Sequence, residues 1–233
     1  MRIALQPAYL IHARKISDSR SLVDFLTRDY GVVGAIVRAP SKKKSPHTLF
    51  RPALVSWLGN NSLKTITDYE LNNHCVNSLV GSSLFCGFYL NELLQRLMPK
   101  GEACERLFDL YQHSLIVLAD GSDPEPVLRR FEFLLLEELG YAIDFYHDAL
   151  TGEPLNTASY YYLDVAQGFT LLGQSHWPCY SGQAIIAIAR GDYSHADTKR
   201  TAKQLSRLLL KPLLGSKPLK SRELFMSIAV SKI

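Results

Sequence analysis

Three adjacent lysines, Lys42, Lys43 and Lys44, stand between Arg38 and Arg51 in the first quarter of the chain. Like charges side by side repel at little cost in water, and the same cluster becomes favourable beside a phosphate chain. A second cationic row recurs at four-residue steps: Lys199, Lys203, Arg207 and Lys211, with Arg200 beside them. On a helix those four cover an arc about 120° wide. Ala202, Leu205, Leu208 and Leu209 fall on the opposite side, so one face packs and the other presents cations. No acid lies between Thr198 and Lys220, and the i,i+4 pairing that usually neutralises a solvated face is missing within that stretch. Arg14 and Lys15 near the start, and Lys217, Lys220 and Arg222 near the end, complete the candidate contacts to a nucleic-acid backbone.

Catalytic chemistry finds no comparable pattern. The seven histidines are scattered, and no HExxH, GxSxG, P-loop or GxGxxG motif occurs. His147 and Asp148 are adjacent, but no third partner is legible. A nuclease would need clustered acids to hold metal, and the basic segments contain none. The four cysteines form no paired spacing, which predicts reduced thiols and no cofactor or metal. No apolar run reaches the roughly 18–20 residues of a membrane helix, and the N-terminus lacks a signal-peptide core. A cytoplasmic, nucleoid-associated protein is the expectation.

The charges are segregated along the chain. Residues 1–80 carry a balance of +6, residues 81–190 a balance of −8, and residues 191–233 a balance of +6. Basic ends attract polyanions. Two functions from different classes fit them: a DNA-binding protein, or an adaptor whose basic surfaces bind acidic protein segments. Salt-dependent binding to random single-stranded DNA separates the two.

Five short strands are predicted at about 3–14, 20–28, 31–38, 51–58 and 62–70, punctuated by Gly31 and Gly59-Asn60-Asn61. Five strands in about 70 residues fit a small barrel, OB-type or SH3-like. After residue 71 the period becomes helical. Ser82-Ser83 is expected to cap a helix that stops at Pro99-Lys100-Gly101, and a second covers Glu105–Leu118. A third opens at Asp123-Pro124 and ends at Gly140; helical pattern returns at 183–190 and about 195–214. The fold class is therefore α+β: a five-stranded OB-type β-barrel domain over 1–80, then an α-helical domain over 81–233. An irregular aromatic insertion is expected at about 141–182.

Four segments carry a resemblance to a known family. They are Tyr89-Leu90-Asn91-Glu92-Leu93-Leu94; Pro124 through Glu132; Leu139-Gly140-Tyr141; and Leu209 through Gly215 followed by Lys217 through Phe225. In this order they resemble the bacterial recombination-mediator family RecO, of the gammaproteobacterial type. The resemblance implies an N-terminal OB domain and a helical C-terminal domain. It also implies binding of single- and double-stranded DNA, and annealing of complementary strands. The implied partners are the C-terminal tail of the single-strand-binding protein, RecR and, in some cases, RecF, acting together to load RecA recombinase. Many family members carry a four-cysteine zinc site just after the Leu-Gly-Tyr segment. Here the matching stretch is Asp148-Ala149-Leu150-Thr151-Gly152, so the chain resembles the metal-free branch. Tyr141, Phe145, Tyr160, Tyr162, Phe169 and Trp177 are then expected to hold 141–182 by packing. The implied partner tail ends in a phenylalanine and a free carboxylate. The expected slot for it is Leu128, Arg129, Arg130 and Phe131, because those arginines are the only adjacent basic pair in the acidic middle block.

Overall fold

The first 71 residues build five strands: β1 (Arg2–Ser17), β2 (Arg20–Thr27), β3 (Gly31–Arg38), β4 (Pro52–Leu58) and β5 (Leu63–Leu71). The computed structural model describes residues 2–38, 48–72, 78–171 and 178–224, so Lys42, Lys43, Lys44, Trp177 and Phe225 lie outside the described residues. Around the wall the order is β1-β2-β3-β5-β4, and β4 returns to β1 to close the barrel. β3 and β5 run parallel while the other pairs are antiparallel, the OB-type arrangement. Inward alternation supplies the core: Ala8, Leu10, Val23, Phe25, Val33, Ala35, Val55 and Trp57. Burying each of the larger side chains contributes about 1.5–3 kcal/mol.

Local chemistry sets the barrel's corners. Gly31 has φ +61°, and a Cβ there would collide with the backbone carbonyl of Glu102, so no side chain fits at position 31. β1 is longer than its period suggests because shifts at Ile3/Gln6 and Leu10/His12 let it follow the wall's curvature. In the first bulge Leu5 takes φ 52° while its N–H donates to Ser56 Oγ at 3.0 Å.

Two compact units divide the chain: Met1–Pro124 with Ser216–Ile233, and Glu125–Gly215. In the first, α1 (Gly81–Leu97) and α2 (Glu105–Ala119) accompany the barrel. Tyr9 of β1 meets the rings of Phe108 and Tyr111 at 5.5 and 5.2 Å. The Tyr111 hydroxyl, fully buried, donates to Asn91 Oδ1 at 2.6 Å. The expected Ser82-Ser83 cap does not form: the N-cap is Val80, which offers no side-chain acceptor.

The second unit holds most of α3 (Pro124–Glu138), then β6 (Tyr160–Asp164), β7 (Gly168–Leu171), β8 (Tyr180–Ser181), α4 (Gly182–Ala189) and α5 (Ala196–Leu214). The expectation of an irregular 141–182 is corrected here, because the segment contains a three-stranded sheet ordered β7-β6-β8. Strands of five, four and two residues are too short to display a period of two. Phe145 packs on Phe133 and Phe169, with centroids 5.3 and 5.7 Å apart. Tyr161 is buried, whereas Tyr141 and Tyr160 are half exposed and hold little.

Asp148 organises the turn that precedes this sheet. Its buried carboxylate accepts from the backbone N–H of Leu150 (2.9 Å), Thr151 (3.1 Å) and Leu171 (2.7 Å). Burial pushes its pKa up, and those backbone donors outweigh the burial and leave it below the ordinary value. Asp144 and Asp164 tie further turns of the segment by accepting from backbone N–H two or three residues on.

Candidate nucleic-acid interface

Strand register brings arginines together at one end of the barrel. β2 and β3 pair without a shift, which sets Arg20 directly opposite Arg38. Val23 and Phe25 of β2 and Val33 and Ala35 of β3 point inward, so alternation turns both arginines outward. Arg14 of β1 lies opposite Leu22, also on the outer side. The three side chains belong to exposed residues on adjacent strands. Among the described residues no carboxylate pairs with any of them. Cross-strand partners stand about 4.5–5.5 Å apart at Cβ, where like charges destabilise the pairing. A phosphate between them reverses that sign.

Arg20 is missing from the sequence-derived set. It could have been found: the short turn at 28–30 fixes the hairpin register, and that register alone sets residue 20 against residue 38. Lys15 is exposed but holds Asp18 at 2.8 Å. Arg51 turns partly inward, with Nε buried and without a hydrogen bond, beside Tyr69, whose phenol pKa is raised by burial.

The cationic face of α5 is only partly available. Asp197, one turn earlier, holds Arg200 at 2.6 Å, and Glu125 of α3 reaches Lys203 at 2.9 Å. The absence of acids after Thr198 is thus compensated from the first turn of α5 and from a neighbouring helix. Lys199 is half-buried; Arg207 and Lys211 are exposed. The packing face is as expected, with Ala202, Leu205 and Leu209 buried. Lys217, Lys220 and Arg222 are exposed on the segment that follows α5, and Arg222 stacks over Tyr89 at 5.7 Å.

The four residues of the expected partner slot separate. Phe131 is fully buried in the core and Leu128 is half-buried. Arg129 is 7% exposed and committed to Glu132 Oε1 at 2.9 Å and Ser206 Oγ at 2.7 Å. Its charge therefore sits inside the fold rather than at the surface. Arg130 alone faces outward. It donates to the Gly191 carbonyl at 2.9 Å and lies 5.9 Å from the centre of the Tyr193 ring. Burial pushes the Tyr193 phenol up to about 12, against the pull of Arg130 and Arg129. Arg130 borders a groove of about 310 Å³ whose walls include Phe133, Leu134, Tyr141, Phe145 and Ile188. An apolar slot beside a cation is present, built around Arg130 and not around its neighbours.

Among the described residues no group of three or more His, Cys, Asp or Glu side chains converges on a point that would hold a metal. Among the described residues no helix is long and apolar enough to cross a membrane. The fold is that of an OB-type barrel protein with an α-helical region after the barrel.

The N-terminal domain of recombination protein O matches residues 1–74, and its C-terminal domain matches residues 80–223. A DNA repair protein RecO of Cellvibrio japonicus is 47% identical over 231 residues, covering 97% of this chain and 98% of that protein. Its counterpart in Pseudoalteromonas translucida is 43% identical over 222 residues, covering 94% and 95%. The one from Proteus mirabilis is 38% identical over 233 residues, covering 97% and 94%. The chain belongs to the recombination protein O family, and with it to the proteins of DNA repair and recombination.

Proposed function

We propose that this chain is a non-enzymatic recombination mediator that grips the DNA backbone through cations left without carboxylate partners. The observation that carries this reading is the facing pair Arg20 and Arg38, with Arg14 on the next strand. Lys42, Lys43 and Lys44, four to six residues after Arg38 in the chain, add further cations to the same proposal. Backbone contacts carry no base information, so single- and double-stranded DNA are both bound without sequence preference. Arg207 and Lys211 of α5 offer a second grip, and two grips allow two complementary strands to be neutralised together and annealed. The protein works in the cytoplasm at the nucleoid, with RecR and in some settings RecF, to load RecA on DNA coated by single-strand-binding protein. It recognises that protein's acidic tail in the Arg130 groove: the terminal phenylalanine enters the apolar slot and the guanidinium holds the carboxylate.

Two experiments test this. Annealing of strands pre-coated with single-strand-binding protein should fall sharply when that protein lacks its tail. Titration of a fluorescent tail peptide should show loss of binding in Arg130→Ala, with affinity for naked DNA unchanged. Wild-type peptide affinity in Arg130→Ala moves the tail elsewhere. Salt-insensitive binding to random single-stranded DNA would favour the rival adaptor that binds acidic protein segments.

A further inference from the structure

The segment after α5 is held in the manner of a docked peptide, and its chemistry is divided between backbone and side chains. Gly215 ends α5 with φ 65°, and the next nine residues belong to the barrel's unit. There Glu92 of α1 accepts from the backbone N–H of Lys220 at 2.9 Å, and from the backbone N–H and hydroxyl of Ser221 at 2.9 and 2.7 Å. Arg96, one turn further along α1, donates to the carbonyls of Lys217 at 3.0 Å and Pro218 at 3.3 Å. Leu219 is buried between these two clamps. Partial burial pushes the Glu92 pKa up, but the donors from Ser221 and Lys220, together with Arg96, pull it below its ordinary value.

Both clamps engage main-chain atoms, apart from the Ser221 hydroxyl. The side chains of Lys217 and Lys220 therefore remain exposed and are spent on nothing inside the clamps. We propose that Glu92 and Arg96 are positioning residues for DNA binding: they fix the backbone of 217–221 so that Lys217 and Lys220 face the phosphate chain as a preset pair. This rests on the DNA-backbone reading above and adds to it a carboxylate that promotes binding of a polyanion. Without the clamps the two lysines would ride on a loose segment, and ordering it on DNA would cost conformational entropy.

The sign of one substitution separates this from a plain charge effect. Glu92→Gln keeps size and removes one negative charge, so electrostatics alone predicts tighter DNA binding. The positioning role predicts weaker binding. The experiment measures affinity for random single-stranded DNA against salt in five proteins: wild type, Glu92→Gln, Lys217→Ala/Lys220→Ala, the triple variant, and Ser221→Ala. The expected result is that Glu92→Gln and the double variant each make the log–log slope shallower, by up to about 1.4 for two lost single-strand contacts. The triple variant should lose no more than the double. Ser221→Ala, which removes one of the three bonds to Glu92, should act in the same direction and less. Tighter binding by Glu92→Gln, or a lowered melting temperature with an unchanged slope, would reduce the clamp to a structural tie and overturn the proposal. So would an unchanged slope in the double variant while wild type keeps its salt dependence. Wild-type binding that does not respond to salt would instead sink the DNA-backbone reading itself.

Discussion

At the end of the barrel, Arg14, Arg20 and Arg38 face outward with no carboxylate partner among the described residues; on α3 and α5, Arg129, Arg200 and Lys203 each hold one. Each region contributes three cations to this comparison. What separates them is pairing: the barrel's register sets like charges side by side, while Glu132 and Asp197, each three residues away on the same helix, hold Arg129 and Arg200, and Glu125 of α3 holds Lys203. A cation already paired makes a weaker contact to phosphate, because the new bond must replace an existing one. On the proposed reading, availability and not abundance marks the DNA-binding surface.

The largest effect expected from this contrast is on stability. Arg129→Ala removes the guanidinium that holds Glu132, which is 0% exposed, and should cost about 3–5 kcal/mol. Chemical denaturation of the variant checks this. A loss below about 1 kcal/mol would mean that Arg129 is not the internal counter-ion its position indicates.

A buried anion should obey the same rule. Asp148→Asn replaces charge-assisted bonds to three backbone N–H groups and should cost about 1.5–3 kcal/mol. Because the folded pKa of Asp148 is below its ordinary 3.8, its contribution is complete above that value. The contribution fades as pH falls through the lower folded pKa. The acid limb of the stability profile should therefore be flatter in Asp148→Asn than in wild type. Equal limbs would show that the carboxylate's charge plays no part in holding the turn. This turn contains no cysteine, and among the described residues no group of side chains would hold a metal, so chelation should leave the melting temperature unchanged.

The smallest effect belongs to an exposed pair. Lys203 and Glu125 are 43% and 39% exposed, and after solvent screening their contact contributes no more than about 1 kcal/mol. Lys203→Ala should melt close to wild type and bind DNA almost as well. A tenfold loss of DNA affinity would show that the pair opens to take phosphate.

Strand positions were legible because Gly31 and Gly59-Asn60-Asn61 mark turns, and the observed strands begin and end within about three residues of the expected ones. The packing face of α5 was legible for the same reason, since Ala202, Leu205 and Leu209 recur at helical steps. Pairing between helices was not legible. Glu125 lies 78 residues from Lys203, and nothing in the local pattern of α5 announces it. Arg129 and Arg130 look alike as neighbours, yet one faces Glu132 in the core and the other a surface groove. The sheet of β6, β7 and β8 escaped because its strands are shorter than the window in which alternation can be seen.

The most direct test compares two double variants of equal charge change, Arg20→Ala/Arg38→Ala at the barrel and Arg200→Ala/Lys203→Ala on α5. Affinity for random single-stranded DNA is measured across salt, with circular dichroism to show that both fold. The barrel variant should lose affinity at low salt and show a log–log slope shallower by about 1.4, two phosphate contacts at about 0.7 each. The α5 variant should keep the wild-type slope. An unchanged slope in the barrel variant, or an equal loss in both, would contradict the claim that unpaired cations at the barrel end hold the DNA backbone.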